Sequence, residues 1–227
     1  MNDKEWNSYN EWNKRDEGMS DLWISKLVHW VKINKQDLKE LTVLDYGCGY
    51  FDLGFELIRH SKSVDGYDPF GPAIQRARLR CPGNSILTDD LTSLPNQKYN
   101  LIILNSVVQY MGTKDALHTF FLKSKELLQS SGESEIILSD LIPKNYSSVK
   151  DALNCMLYAC RNGFLVAMMI HLFKAATNFH KGMIFKIDPQ EVRELAHQNG
   201  FKCTILEDNL TPSKYRYSCL LSLEKHS

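Results

Sequence analysis

The sequence has no excess of either charge, since 27 Lys and Arg balance 27 Asp and Glu over 227 residues. A chain without a net field is not drawn as a whole to nucleic acid or to an anionic membrane, and a small acceptor fits better than RNA or DNA. The six cysteines form no C-x-x-C pair. Cys48, Cys81, Cys203 and Cys219 sit in or near apolar runs, which reads as buried reduced thiols in a reducing compartment. No cluster of His, Cys, Asp or Glu has metal-ligand spacing, so no metal is expected. The start, Met-Asn-Asp-Lys-Glu-Trp, lacks an apolar signal core, so a cytoplasmic location is expected. The most apolar run, Gly163 to Phe173, is well short of the roughly twenty residues needed to cross a bilayer. Stable membrane insertion is therefore not expected.

Two further absences narrow the cofactor. A dinucleotide fingerprint beginning at Gly47 and Gly49 would need glycine at 52, where this chain has Asp52. A phosphate loop spaced on Gly49 and Gly54 would need Lys and Ser or Thr where Phe55 and Glu56 stand. What is present is Val43-Leu44-Asp45-Tyr46-Gly47-Cys48-Gly49, an apolar strand ending in an acid and turning through two glycines into a helix. Such a turn lets a ligand approach backbone amides that a side chain would shield. With acids and no phosphate partner, it suits an adenosine carrying a cationic amino acid, S-adenosyl-L-methionine. Asp68 closes the next strand-like run, Ser63 to Tyr67, and a carboxylate about twenty residues beyond the glycine turn is placed to grip a ribose diol. Asp68-Pro69 can also start a helix, and the two readings are compatible.

These blocks resemble a class I S-adenosylmethionine-dependent methyltransferase of the small-molecule type, from about Val43 to Leu141. Val43 to Gly49 is similar to the family's first motif and Gly66-Tyr67-Asp68 to its second. Asp90-Leu91-Thr92-Ser93-Leu94-Pro95 resembles the segment after the third strand. The resemblance implies that Asp90 faces the adenine amino group and that the Leu91 amide faces a ring nitrogen. Tyr99 to Ser106 resembles the fourth strand, with Asn100 where the family usually has Asp and Phe51 where it often has a third glycine. The cofactor set is therefore Asp45, Gly47, Gly49, Asp68, Asp90, Leu91 and Asn105.

Periodicity predicts strands at 42–46, 63–68, 85–88, 99–104, 134–139, 201–207 and 216–223. Helices are predicted at about 20–34, 52–60, 71–80, 114–129 and 189–198. Alternation of this kind gives an α/β fold, a Rossmann-like doubly wound seven-stranded sheet, mostly parallel. The last two strands are joined by too few residues for a helical crossover, so the final strand should run antiparallel. One domain covers 1–227, with an N-terminal helical or lid segment at 1–34 and an inserted segment at 144–186. Trp23 and Trp30 read as helix packing, while Trp6, Tyr9 and Trp12 are equally open to packing and to a lid. The insertion is far longer than an ordinary connection, which points to an acceptor pocket. Its apolar centre leaves a pocket wall, a dimer face or an interfacial helix, in that order.

Methyl transfer from a sulfonium is an in-line displacement, accelerated mainly by alignment of the acceptor. A base matters only for a hydroxyl or a protonated amine. Groups able to reach the methyl are Asn105, Ser106, Gln109 and Tyr110 after the fourth strand, and Tyr158, His171, His180 and Lys181 in the insertion. His180 is the preferred base, with Tyr110 assisting and Asn105 fixing the acceptor. Asn105-Ser106-Val107-Val108 is not the Pro-Pro-Tyr-type tetrapeptide of base-amino methylation. The pattern resembles enzymes acting on sugars or other bacterial biosynthetic metabolites. A cofactor-binding partner without catalysis is the alternative, resting on Phe51, Asn100 and the missing family histidine.

Overall fold

The computed structural model describes residues 17–35, 37–81, 83–130, 133–166, 168–169 and 184–224. Seven strands, β1 (Thr42–Tyr46), β2 (Ser63–Tyr67), β3 (Leu87–Thr88), β4 (Leu101–Asn105), β5 (Glu135–Leu141), β6 (Phe201–Ile205) and β7 (Tyr217–Leu223), form one sheet. Their order is β3-β2-β1-β4-β5-β7-β6. Every pairing is parallel except those of β7, which runs antiparallel to both β5 and β6. The doubly wound reading and the reversed last strand therefore hold. The helices are α1 (Glu17–Asn34), α2 (Asp52–Ile58), α3 (Gly71–Arg80), α4 (Lys114–Leu127), α5 (Ser148–Arg161) and α6 (Pro189–Gln198).

The period-two pleat sorts each central strand between two cores. On β4, Ile102 and Leu104 pack in the core that holds Phe120 and Phe121 of α4 and Val192 of α6. Leu101 and Ile103 face the other core, with Leu27 and Val31 of α1, Leu57 of α2 and Ile74 of α3. A strand covered on both sides must be apolar throughout, which is why Leu-Ile-Ile-Leu shows no alternation. Trp30 packs against the second core, and Trp23 packs against a satellite of Cys155, Ala159 and Met168. Both tryptophans are helix packing, as expected. Trp6, Tyr9 and Trp12 lie outside the described residues.

Three departures have physical causes. β3 is only Leu87–Thr88, because the Ile86 amide is taken by the Asp65 carboxylate at 2.9 Å instead of extending a ladder. Asn100 stands before β4, where its Oδ1 accepts from the amide and hydroxyl of Thr42 while its Nδ2 donates to Gln129 Oε1 at 2.8 Å. A carboxylate there would meet the Gln129 oxygen without a proton to share, so the amide is the better residue in this chain. The third is α5, inside the insertion, where periodicity predicts no helix. Ser147 caps it by accepting from the Lys150 amide. Its buried face carries Asp151, Cys155 and Ala159, while the larger apolar residues Val149, Leu153 and Leu157 point outward.

Candidate active site

The carboxyl ends of β1, β2 and β4 open onto a cavity of about 360 Å³, the place where doubly wound sheets bind ligands. Gly47 and Gly49, both at positive φ, turn the chain over its floor. The amides of Gly47 and Cys48 donate to the Tyr67 carbonyl at 2.7 and 3.0 Å, which clamps the turn to β2. A β-carbon on Gly47 would lie 2.4 Å from Val107 Cγ2, so this position needs glycine for space as well as for its φ of 78°.

Phe51 takes a φ of 66°, the left-handed geometry that a third glycine would adopt freely. Its ring is fully buried. It points into the core, edge-on to Phe55 at 5.3 Å. Gly49, Tyr50, Asp52 and Leu53 line the cavity and Phe51 does not. The bulky residue thus leaves the cavity side of the loop clear.

Two of the acids in the floor are buried. Asp68 is 8% exposed. Its Oδ2 accepts from the Gly49 amide at 2.8 Å and its Oδ1 from the Phe70 amide at 2.9 Å. Phe70, not Asp68, is the N-cap of α3. Burial raises the Asp68 carboxyl above its ordinary range, against these two hydrogen bonds. Asp45 is 2% exposed, and the Gly54 amide in the first turn of α2 donates to it. Its Oδ2 is buried without a hydrogen-bond partner. Burial, reinforced by the charge of Asp68, pushes the Asp45 carboxyl up to about 8. An unpaired buried acceptor costs about 1–3 kcal/mol, a penalty that a ligand donor would relieve.

Asp90 and Leu91 part company. Asp90 is exposed, and its Oδ1 accepts from the amide and hydroxyl of Thr92 at 2.9 and 2.7 Å. These bonds hold the carboxyl below its usual range. Leu91 lines the cavity and Asp90 does not. From β4 and the turn after it come Asn105, Ser106, Val107, Tyr110 and Met111. Ser139 Oγ donates to Asn105 Oδ1 at 2.7 Å, which holds that side chain by its oxygen. Gln109 is buried outside the lining, its Oε1 unpartnered and its carbonyl bonded to the Phe185 amide at 2.9 Å.

Sequence reasoning missed one wall. Ala116, Thr119, Phe120 and Lys123 of α4 line the cavity at helical spacing, a stripe that reads as ordinary core in the sequence. Beside it, Tyr46 lies 4.8 Å from Tyr67 and 4.9 Å from Phe120 between ring centroids. Burial raises both tyrosines above their ordinary values, so they present neutral rings and hydroxyls to a ligand. The cavity thus combines an aromatic wall with an acidic floor of Asp45, Asp52 and Asp68, and Lys123 is the basic residue in its lining. This suits a flat base joined to a cationic group and repels a pyrophosphate.

The insertion meets the site indirectly. Its described residues contribute nothing to the cavity lining. Ser106, itself at φ 60°, donates from Oγ to Asp140 Oδ2 at 2.8 Å. Arg216 donates to the same Asp140 oxygen at 2.7 Å and to Asp151 of α5 at 2.9 and 3.1 Å. Thr211, Tyr146 and Ser213 complete the donors to the two carboxylates. One partly buried guanidinium thus fastens α5 to the ends of β5 and β7. Tyr158 packs at the satellite cluster, away from the cavity lining. His171, His180 and Lys181 lie outside the described residues.

Residues 14–167 match the family described as the methyltransferase small domain. Among solved structures, magnesium protoporphyrin IX methyltransferase from Synechocystis PCC 6803 with bound S-adenosylhomocysteine is similar at 21% identity. The match covers 89% of this chain and 82% of that one, with a TM-score of 0.58. A methyltransferase from Bacteroides fragilis in complex with S-adenosylhomocysteine aligns at 16% identity over 83% and 74% of the two chains, with a TM-score of 0.55. The 1,6-didemethyltoxoflavin-N1-methyltransferase from Burkholderia thailandensis aligns at 12% identity over 97% and 83%, with a TM-score of 0.57. With the glycine turn, the unpaired buried acid and the fold all in agreement, the chain belongs to the methyltransferase small domain family and is an S-adenosylmethionine-dependent methyltransferase.

Proposed function

We propose that the protein transfers the methyl group to an oxygen or nitrogen of a small-molecule acceptor, a sugar or another bacterial biosynthetic metabolite. The observation that carries this reading is that Asn105 and Tyr110, the groups placed to meet an acceptor, share one cavity of about 360 Å³ with the cofactor residues. The even charge of the chain adds support, because its zero net charge gives no overall field for RNA or DNA. Neighbours named for magnesium protoporphyrin IX and for 1,6-didemethyltoxoflavin point to the same class.

Within this reading Asp45, Gly47, Gly49, Asp68 and Leu91 hold the cofactor, whose sulfonium supplies an activated methyl group. Asn105 and Tyr110, both in the lining, orient the acceptor. His180 takes the acceptor proton, since an ordinary histidine near pH 6.5 accepts one at neutral pH. Two of the three features behind the non-catalytic alternative have structural explanations instead. Phe51 is packed into the core, and Asn100 serves Thr42 and Gln129.

Incubation with methyl-labelled S-adenosylmethionine and a panel of sugars, hydroxylated aromatics and amines tests the proposal. Label should pass to one small-molecule class, and His180→Ala should slow that turnover about 10²- to 10⁴-fold with cofactor affinity retained. Label passing to RNA or protein instead would overturn the acceptor class, and a loss of only a few fold would remove His180 as base.

A further inference from the structure

Exposed apolar surface and positive charge coincide in the insertion. Among the described residues eleven large hydrophobic side chains are exposed, and seven of them, Val149, Leu153, Leu157, Leu165, Val166, Met169 and Ile184, fall within 144–186. Single exposed leucines need no explanation, whereas a concentration of them does. Val149, Leu153 and Leu157 repeat every fourth residue on α5, so they form one stripe, and they are 69%, 54% and 63% exposed.

The charge along the insertion after Asp151 has one sign. From Ala152 to Ile187 the chain has no Asp or Glu, but it has Arg161, Lys174, Lys181 and Lys186. The acid of α5, Asp151, is buried against Arg216. Lys150 and Arg161, both exposed, lie on the same edge of the stripe, near its two ends and about three helical turns apart. The chain as a whole is neutral, so this basic segment is a local asymmetry that a net-charge argument hides.

We propose that this face of the insertion docks on an anionic lipid surface, with Val149, Leu153 and Leu157 entering the headgroup boundary and Lys150 and Arg161 meeting lipid phosphates. A helix with an apolar face edged by basic residues binds in the plane of such an interface, by apolar burial and by Coulomb attraction to anionic lipid. No described helix is long and apolar enough to cross a membrane, so the contact is peripheral. A protein partner with an acidic rim would meet the same stripe, but the exposed Leu165, Val166 and Met169 that follow α5 add apolar surface beyond the helix, which fits an extended fluid surface better than one pocket. The site concerns where the enzyme works, and it stands whatever the acceptor proves to be.

Sedimentation of the full chain with vesicles tests it. Vesicles of equal parts phosphatidylglycerol and phosphatidylcholine should carry the protein down at low ionic strength. Pure phosphatidylcholine should carry about tenfold less. Molar salt, where the Debye length is about 3 Å, should weaken the anionic binding. The double variant Leu153→Asp/Leu157→Asp should lose about tenfold or more in vesicle binding, with its melting temperature and its S-adenosylhomocysteine affinity unchanged, because both side chains are exposed. Wild-type protein that stays in solution with both vesicle types overturns the proposal, as does a variant that binds like wild type. A concentration-dependent dimer that the variant dissolves, in protein that ignores vesicles, overturns it in favour of a second copy.

Discussion

The ring of Phe51 fills the space that a β-carbon on Gly54 would need: such an atom would lie 2.1 Å from Phe51 Cε2. Gly66 on β2 makes the same concession, with a β-carbon there falling 2.8 Å from Phe51 Cδ2. The bulky residue at the glycine-loop position is therefore matched by two glycines elsewhere. The Gly54 amide also bonds Asp45, so one residue serves both the packing of the loop and the electrostatics of the floor.

Gly54→Ala should destabilise the fold by about 1–3 kcal/mol, the usual cost of overpacking. Phe51→Ala, which empties a fully buried site, should cost about 3–5 kcal/mol. In the Phe51→Ala background the added methyl of Gly54→Ala should cost far less, and urea unfolding of the four proteins measures that coupling. Simple additivity would mean that the two residues do not share space.

Cofactor affinity should depend on pH through Asp45. Its carboxyl, raised to about 8 from 3.8, is protonated in the free protein at neutral pH. The ammonium group of the ligand's amino-acid end would favour the ionised form, so binding at pH 7 should release a proton. Affinity for S-adenosylhomocysteine should then rise roughly tenfold per unit between about pH 6 and 8 and level off above. Asp45→Asn should flatten the curve. For the free protein the sign is opposite: the native state holds a proton that the unfolded chain gives up above 3.8, so this group's contribution to stability falls as pH rises through that window to 8.

Asp68→Ala removes the acceptor for both the Gly49 and the Phe70 amides. Affinity for S-adenosylhomocysteine should drop by about 1.5–3 kcal/mol, the scale of hydrogen bonds to a charged group. An unchanged titration would free Asp68 from any part in binding.

Arg216→Met leaves Asp140 and Asp151 buried without their shared cation. Removal of one partner of such a cluster costs about 3–5 kcal/mol. Adding Asp151→Asn should recover part of that loss, and hydrogen exchange should show α5 loosened in the single variant more than in the double. Unaltered exchange in α5 would mean that Arg216 does not fasten the insertion.

Much of this was legible in the chain because the signals are local. An acid before a glycine turn, an acid ending the next strand and an apolar run for a strand covered on both sides all follow from neighbouring residues. Asp45, Gly47, Gly49, Asp68, Leu91 and Asn105 accordingly come together around one cavity. What escaped depends on long-range contacts. The aromatic wall of Tyr46, Tyr67 and Phe120 joins three separate elements, and the α4 stripe that lines the cavity has the same spacing as a core stripe. Asp90 is a local exception: its carboxylate accepts from Thr92, two residues on, and it falls outside the lining. On α5 the apolar stripe that a sequence reading would turn inward faces out, since Asp151 is drawn in by Arg216.

Calorimetric titration of the full chain at pH 8 with S-adenosylhomocysteine and, separately, with NAD tests the reading of the cavity most directly. One equivalent of S-adenosylhomocysteine should bind with proton release, and NAD should give no saturable heat, because its pyrophosphate would meet Asp45, Asp52 and Asp68. Saturable binding of NAD, or no binding of S-adenosylhomocysteine to folded protein, would contradict the assignment of this site.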